Sequence, residues 1–294
     1  YDQRFSLATI SIGGILGIII PPSIPMVLFG ISASVDVSKI FMGGIIPGIL
    51  LVVAMSIYSV IYGKRHNLET KKFELRALGR ALKDAIWALL MPLIILGGIY
   101  AGIMTPTEAA AVAIIYGLIV GLCIYRELSA KMLVKIVTDA VASSGQIMFI
   151  VAGASAFGYV MTRENVPTKV ANFITGVAGN YWVFYLLVIL LLLFVGTFME
   201  VAPATMLLSP ILVPCISAYS INPVVFAVIF VCSLGVGLVT PPVGLNLYVA
   251  ANIGRVKFEK VVSKHLFIYM LCYLAVVVLL VIFPQIVNFL PSHM

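Results

Sequence analysis

The sequence predicts an all-α polytopic membrane protein with an inverted internal repeat. Three observations carry this. Of 294 residues, 62% are hydrophobic and only 10% charged, with a mean hydropathy of +1.17, whereas a soluble domain is nearer half apolar and a quarter charged. The apolar residues gather in long segments of the length that crosses a bilayer, about 20 residues. Two of those segments are interrupted by the same Gly-x-x-x-Pro-Pro pattern.

The segments are expected near 5–35, 41–63, 84–103, 107–125, 140–161, 181–199, 204–218, 224–253 and 266–289. Segment 5–35 is split by Pro21-Pro22-Ser23-Ile24-Pro25, and segment 224–253 by Thr240-Pro241-Pro242-Val243-Gly244. Segment 140–161 carries Ala152-Gly153-Ala154-Ser155-Ala156-Phe157-Gly158, a small-residue run that favours close helix contact or a local break. The chain opens at Tyr1 beside an apolar segment, so it is expected to be the remainder of a longer polypeptide.

The net charge of +7 does not call for nucleic acid, because the cations sit in short loops between apolar segments. Residues 63–84 carry Lys64, Arg65, Lys71, Lys72, Arg76, Arg80 and Lys83; residues 126–135 carry Arg126, Lys131 and Lys135; residues 254–265 carry Arg255, Lys257, Lys260 and Lys264. The positive-inside rule places all three loops in the cytoplasm. Segments 84–103 and 107–125 then form a pair that leaves and returns. They meet at Thr105-Pro106-Thr107-Glu108, which reads as a capping box with proline at the first helical position. The cysteines Cys123, Cys215, Cys232 and Cys272 stand singly and are expected to be buried thiols. His66, His265 and His293 are expected in loops or at the tail, without a metal-binding cluster. No Walker A loop, GxGxxG or GxSxG occurs, so ATP hydrolysis and an enzyme of these classes are not expected. Trp87 and Trp182 read as interface anchors.

Crossing parity demands that residues 181–218 either cross twice or enter and leave from outside. The two arms meet at Gly196-Thr197-Phe198-Met199-Glu200-Val201-Ala202-Pro203. A cytoplasmic loop without Lys or Arg would be unusual, which favours a re-entrant hairpin. Glu200 lies between apolar arms and so is expected to face a site, an ion or a cation.

Shifting the sequence by 220 positions lays Gly17-Ile18-Ile19-Ile20-Pro21-Pro22 on Gly237-Leu238-Val239-Thr240-Pro241-Pro242. A short amphipathic piece is expected after each copy, at 35–40 and 256–264. The first copy ends outside and the second inside, so the two are inverted. Paired broken helices in inverted repeats point to secondary transport. Proline removes amide donors, and carbonyls freed at membrane depth are tolerated where they line a cavity or coordinate an ion.

These stretches resemble signatures of the large membrane subunit of TRAP (tripartite ATP-independent periplasmic) transporters. The matching residues are Gly13-Gly14-Ile15-Leu16-Gly17-Ile18-Ile19-Ile20-Pro21-Pro22-Ser23-Ile24-Pro25, Gly237-Leu238-Val239-Thr240-Pro241-Pro242-Val243-Gly244-Leu245-Asn246-Leu247 and Thr105-Pro106-Thr107-Glu108-Ala109-Ala110-Ala111. The resemblance runs along the whole chain. It implies an elevator-type transporter of the ion-transporter superfamily, in a bacterial inner membrane. A small membrane subunit and a periplasmic substrate-binding protein would be its partners, with surrounding membrane lipid. Na+ would be the coupling ion and a carboxylate, of the sialic acid or C4-dicarboxylate class, the substrate. The resemblance places one sodium site around Gly17, Ile20 and Pro22, and another around Gly237, Thr240 and Val243 with Gly196 from the hairpin tip. Ser23 and Glu200 would belong to the substrate region, although the family often has Asp where this chain has Glu200. The family's first hairpin would precede Tyr1.

The implied division gives residues 1–35 as a broken helix of the transport domain and 36–180 as mainly scaffold helices and connecting arms. Residues 181–254 would be the hairpin and second broken helix of the transport domain, and 255–294 an amphipathic arm and C-terminal scaffold helix. A stand-alone sodium- or proton-coupled anion symporter of the same superfamily, and an ion channel, are the alternatives.

Overall fold

The computed structural model describes residues 1–68 and 74–293. All regular structure among them is helical. In chain order the helices are α1 (Gln3–Ile19), α2 (Ile24–Ala33), α3 (Val37–Arg65), α4 (Leu75–Tyr100), α5 (Pro106–Ile119), α6 (Ala130–Arg163), α7 (Val166–Val177), α8 (Tyr181–Phe198), α9 (Val201–Ile216), α10 (Pro223–Gly237), α11 (Leu245–Ile253), α12 (Phe258–Val261), α13 (Lys264–Ile282) and α14 (Gln285–Asn288). Among the described residues seven helices are long and apolar enough to cross a membrane, or eight if the bent pair α1–α2 counts as one span. The protein is a polytopic all-α membrane protein.

Both expected breaks are present. α1 stops at Ile19 and α2 leaves at an angle of 41°. α10 stops at Gly237 and α11 begins at Leu245. The Thr105–Glu108 capping box is also formed. The Glu108 amide donates to Thr105 Oγ1 at 3.3 Å, and the Thr105 amide donates to Glu108 Oε2 at 2.8 Å. Two orphan donors at the start of α5 are thereby satisfied.

Other expectations need correcting. Residues 35–40 form no separate amphipathic piece: Asp36 Oδ1 accepts from the Ser38 amide at 2.8 Å and starts α3 directly. The small-residue run in α6 neither breaks that helix nor packs closely at Gly153 or Gly158. Lys131 and Lys135, expected in a loop, lie on α6, and Arg76, Arg80 and Lys83 lie on α4. Lys71 and Lys72 fall outside the described residues. Segment 266–289 stops at Ile282, ahead of Pro284, which cannot continue the helix. His265 is 6% exposed on α13 rather than in a loop. Cys215 and Cys232 are buried as expected, but Cys123 is exposed.

Contacts divide the chain into two compact units, Tyr1–Leu68 with Val151–Met294, and Glu69–Ile150. In the second unit α4 packs on α5. In the first, α10 is the hub. It is apolar on all sides and every residue from Val224 to Gly237 is buried, as expected of a helix surrounded by protein. It packs against α8, α13, α3, α1 and α9. Where α3 crosses the first break, a Cβ on Gly44 would lie 2.7 Å from the Ile19 carbonyl, so only glycine permits that approach.

Hydroxyl groups tie α1, α3 and α13 together. Tyr269 OH lies 2.9 Å from Thr9 Oγ1 and 2.8 Å from Ser59 Oγ, and Tyr58 OH lies 2.7 Å from His265 Nδ1. Phe5 stacks on Tyr62 with ring centroids 3.8 Å apart. α3 and α13 thus pack in the same unit as the two broken helices.

Because α10 is the hub, its start should matter to the whole unit. Asn222 Oδ1 accepts from the amides of Val224 at 2.8 Å and Val225 at 3.5 Å. Asn222→Ala is expected to cost about 1 kcal/mol, read as a lower unfolding temperature in detergent, while Asn222→Asp retains the cap and the wild-type temperature.

Candidate functional site

Each proline pair removes two amide donors. In an unbroken helix the amides at 21 and 22 would bond the carbonyls of Gly17 and Ile18, and those at 241 and 242 the carbonyls of Gly237 and Leu238. The structure shows where these four carbonyls turn instead. Ile18 O accepts from Ser23 Oγ at 2.5 Å. Leu238 O accepts from the Asn246 amide at 3.1 Å, and Gly237 O from the Thr240 amide at 2.9 Å. Gly17 O receives no backbone amide among the described residues. Both Pro-Pro peptide bonds are cis.

The expected residues of the second break do come together. α8 and α9 form a helical hairpin whose turn is Met199–Glu200. Its tip rests directly on the end of α10: a Cβ on Gly237 would lie 2.5 Å from Gly196 Cα, and one on Gly196 would lie 2.6 Å from the Leu234 carbonyl. Here two backbones touch with no side chain between them. The Gly244 amide donates to Thr197 O at 3.2 Å, and Gly244 has φ of +59°, a conformation suited to glycine. Val243 precedes it in the same loop. The Thr240 hydroxyl donates to Val236 O at 2.8 Å, which leaves its oxygen lone pairs available as acceptors.

Around the first break, Ile20 and Pro22 are exposed and Pro21 is buried. Ser23 is 2% exposed. Its hydroxyl donates to Ile18 O and accepts from the Met26 amide at 3.4 Å, so it caps α2 and completes the break. Glu200 is exposed at the start of α9, with no side-chain cap bond and no ion pair among the described residues. No hydrogen bond joins Ser23 to Glu200.

One residue at the site was not singled out beforehand. Asn246 Nδ2 donates to Ser11 O at 3.3 Å, across 235 positions of sequence, while its amide bonds Leu238 O. It therefore links the second break to α1 of the first. The available signal was an amide side chain inside an apolar segment, where an unpaired polar group is costly.

The donor set is made of carbonyl and hydroxyl oxygens. Among the described residues no group of three His, Cys, Asp or Glu could hold a metal. Neutral oxygens at a broken helix suit a hard monovalent cation better than a transition metal.

The family described as "Tripartite ATP-independent periplasmic transporter, DctM component" matches residues 1–286. Three relatives illustrate the similarity. The isethionate TRAP transporter permease protein DctMQ of Oleidesulfovibrio alaskensis is 42% identical over 262 residues, covering 88% of this chain and 41% of that protein. The sialic acid TRAP transporter large permease protein SiaM of Vibrio cholerae is 35% identical over 293 residues, covering 99% and 68%. The C4-dicarboxylate TRAP transporter large permease protein DctM of Pseudomonas aeruginosa is 37% identical over 254 residues, covering 86% and 60%. The chain thus spans less than half of the first and about two thirds or less of the others.

The backbone contact at the hairpin tip leads to a stability test. Gly237→Ala is expected to destabilise the protein by about 1–3 kcal/mol, as overpacking does, seen as an earlier thermal transition in detergent. Gly13→Ala is the control, since its Cβ would meet nothing within 4 Å.

Proposed function

The chain belongs to the large permease, or DctM, family of TRAP transporters, and from that membership we propose that it forms the ion- and substrate-handling part of a secondary transporter for an organic anion. The observation that carries the reading is the paired break. At the first interruption Gly17 O is left without an amide, and at the second a hairpin tip lies against the helix end by bare backbone contact. Such discontinuous helices suit coupling-ion binding in transporters.

In this reading Na+ is the coupling ion. The free Gly17 carbonyl belongs to one site, with Ile20 and Pro22 beside it. Gly196, Gly237, Thr240 and Val243 surround the other, with the Thr240 oxygen as a side-chain ligand. At the N-terminus of α11 the Gly244, Asn246 and Leu247 amides are bonded to Thr197 O, Leu238 O and Gly244 O, which leaves the Leu245 amide to face an anionic group. Ser23 acts on substrate through the shape of the first break, and Glu200 sits at the hairpin turn. The relatives are named for isethionate, sialic acid and C4-dicarboxylates, all organic anions, and a carboxylate is the substrate class assigned here.

The two breaks form an inverted repeat, and transport proceeds by an elevator movement. The moving part is assigned to residues 1–35 and 181–254, which hold both breaks and the hairpin. The scaffold is assigned mainly to residues 36–180 and to the C-terminal helix. A small membrane subunit and a periplasmic binding protein complete the system in a bacterial inner membrane.

The test is uptake into proteoliposomes containing the complete transporter, with its binding protein and labelled sialic acid, C4-dicarboxylate or isethionate. Uptake is expected to require both an inward sodium gradient and the binding protein. Thr240→Val is expected to raise the sodium concentration for half-maximal uptake by about tenfold, a loss comparable to one charge-assisted contact, while Thr240→Ser keeps it. Sodium activation unchanged in Thr240→Val removes Thr240 from the site; uptake indifferent to sodium overturns the coupling itself.

A further inference from the structure

α4 is longer than a bilayer requires. Its 26 residues extend about 39 Å at 1.5 Å per residue, against a hydrocarbon core of about 30 Å. Roughly its first two turns therefore stand in the headgroup region. Those turns carry Arg76 and Arg80, and Lys83 opens the third. At about 100° per residue these three share an arc of some 80° with Trp87 and Met91 further down the helix. The cationic stripe and the apolar stripe are one continuous face of α4.

That face borders a cavity of about 370 Å³, lined on α4 by Trp87, Ala88 and Met91 and opposite by Tyr116, Gly117 and Leu128 among others. The cavity is largely apolar and framed by aromatic rings. Tyr116 OH donates to Trp87 O at 2.7 Å and Tyr125 OH to Asp84 O at 3.0 Å. The two hydroxyls mark one level along α4, as tyrosines do at a membrane interface. A π-helical turn at Val120–Ile124 forms part of the wall, a backbone irregularity often found at functional sites. The nearest atom to a Cβ on Gly117 would be Met91 Cε at 3.6 Å, so the floor is kept low by the absence of a side chain.

Charge settles which occupant suits this face. Arg76, Arg80 and Lys83 form no ion pair among the described residues. The neighbouring charges are Glu74, Asp84, Arg126, Glu127 and Lys131, of which Glu127 lines the cavity; counted with the stripe's own three, the cations outnumber the carboxylates. We infer that this face binds an anionic phospholipid of the cytoplasmic leaflet, its phosphate against the Arg76–Arg80–Lys83 stripe and an acyl chain in the groove beside Trp87 and Met91. The stripe supplies headgroup selectivity and the groove supplies residence. Basic clusters beside a membrane span attract anionic lipid in proportion to their number, and a groove under them converts that attraction into a site. The assignment is independent of the transported anion.

The test uses the complete transporter with Trp87 as its only tryptophan, Trp182 and any others being replaced by phenylalanine. Its fluorescence is measured in vesicles containing phosphatidylglycerol or phosphatidylethanolamine with brominated acyl chains, each in a background of the other lipid unbrominated. Brominated phosphatidylglycerol is expected to quench Trp87 more than brominated phosphatidylethanolamine at equal mole fraction. The preference should fall by about fivefold for each cation removed and vanish in Arg76→Gln/Arg80→Gln/Lys83→Gln. Ala88→Phe, which fills the groove without touching the charges, should abolish it too. Equal quenching by the two lipids overturns the proposal. So does a preference that survives Ala88→Phe, which would belong to the charged surface and not to a groove. Failure of either brominated lipid to quench Trp87 also overturns it, because another polypeptide then covers this face. Unchanged thermal transitions of the variants in detergent show that a lost preference is not a lost fold.

Discussion

A membrane helix is stable in hydrocarbon because each backbone carbonyl has an amide four residues on. Everything unusual in this protein follows from breaking that rule twice. A carbonyl left bare in lipid costs several kcal/mol, and two adjacent prolines leave two of them. The structure accommodates the loss locally first. The Ser23 hydroxyl reaches back to Ile18 O, and the chain beyond Pro242 turns so that the Asn246 amide meets Leu238 O. It then surrounds the breaks with protein rather than lipid. α3 crosses the first at Gly44, and the hairpin tip covers the second at Gly196. α10, buried along its length, anchors both arrangements.

Glycine therefore has a particular role here. At the hairpin tip its value lies in what it lacks. The approach of Gly196 to Gly237 brings two backbones together with no side chain between them. The same contact restricts how the hairpin can lie on α10. The tip adds one amide-to-carbonyl bond, from Gly244 to Thr197 O, to the packing of α8 on α10.

Much of this was readable from the sequence because membrane helices announce themselves by composition. The breaks were readable because Pro21-Pro22 and Pro241-Pro242 interrupt otherwise apolar runs, and the capping box because Thr105 and Glu108 stand at the required spacing. α7 was not foreseen. Val166–Val177 mixes Thr, Lys and Asn with apolar residues and lacks the uniform hydropathy that marks a span. α6 was read too short because Lys131, Lys135 and Asp139 resemble a loop, although they lie on its first turns. Arg76, Arg80 and Lys83 were read in the same way and lie on α4. In both cases charge signalled water, and water at a membrane surface is compatible with helix. Asn246 was missed for a different reason. Its partner, Ser11 O, lies 235 residues away, and such a pairing exists only once the two broken helices are folded against each other.

The two breaks are alike in sequence but not in how they are completed. At the first, the Ser23 side chain closes the gap and Gly17 O is left without an amide. At the second, backbone amides close both gaps and the side chains of Thr240 and Asn246 remain free for other work. Asn246 uses that freedom to reach α1, and Thr240 keeps two lone pairs beside the Gly196–Gly237 contact. An exact symmetric pair would bind two ions in the same way. This pair instead offers a bare carbonyl at one break and a hydroxyl oxygen at the other. The two differ in field strength and in how far they can adjust, because a hydroxyl can rotate and a helix-end carbonyl cannot. The two breaks therefore differ in the oxygens they present, and the bond from Asn246 Nδ2 to Ser11 O joins the second break to the helix that ends at the first.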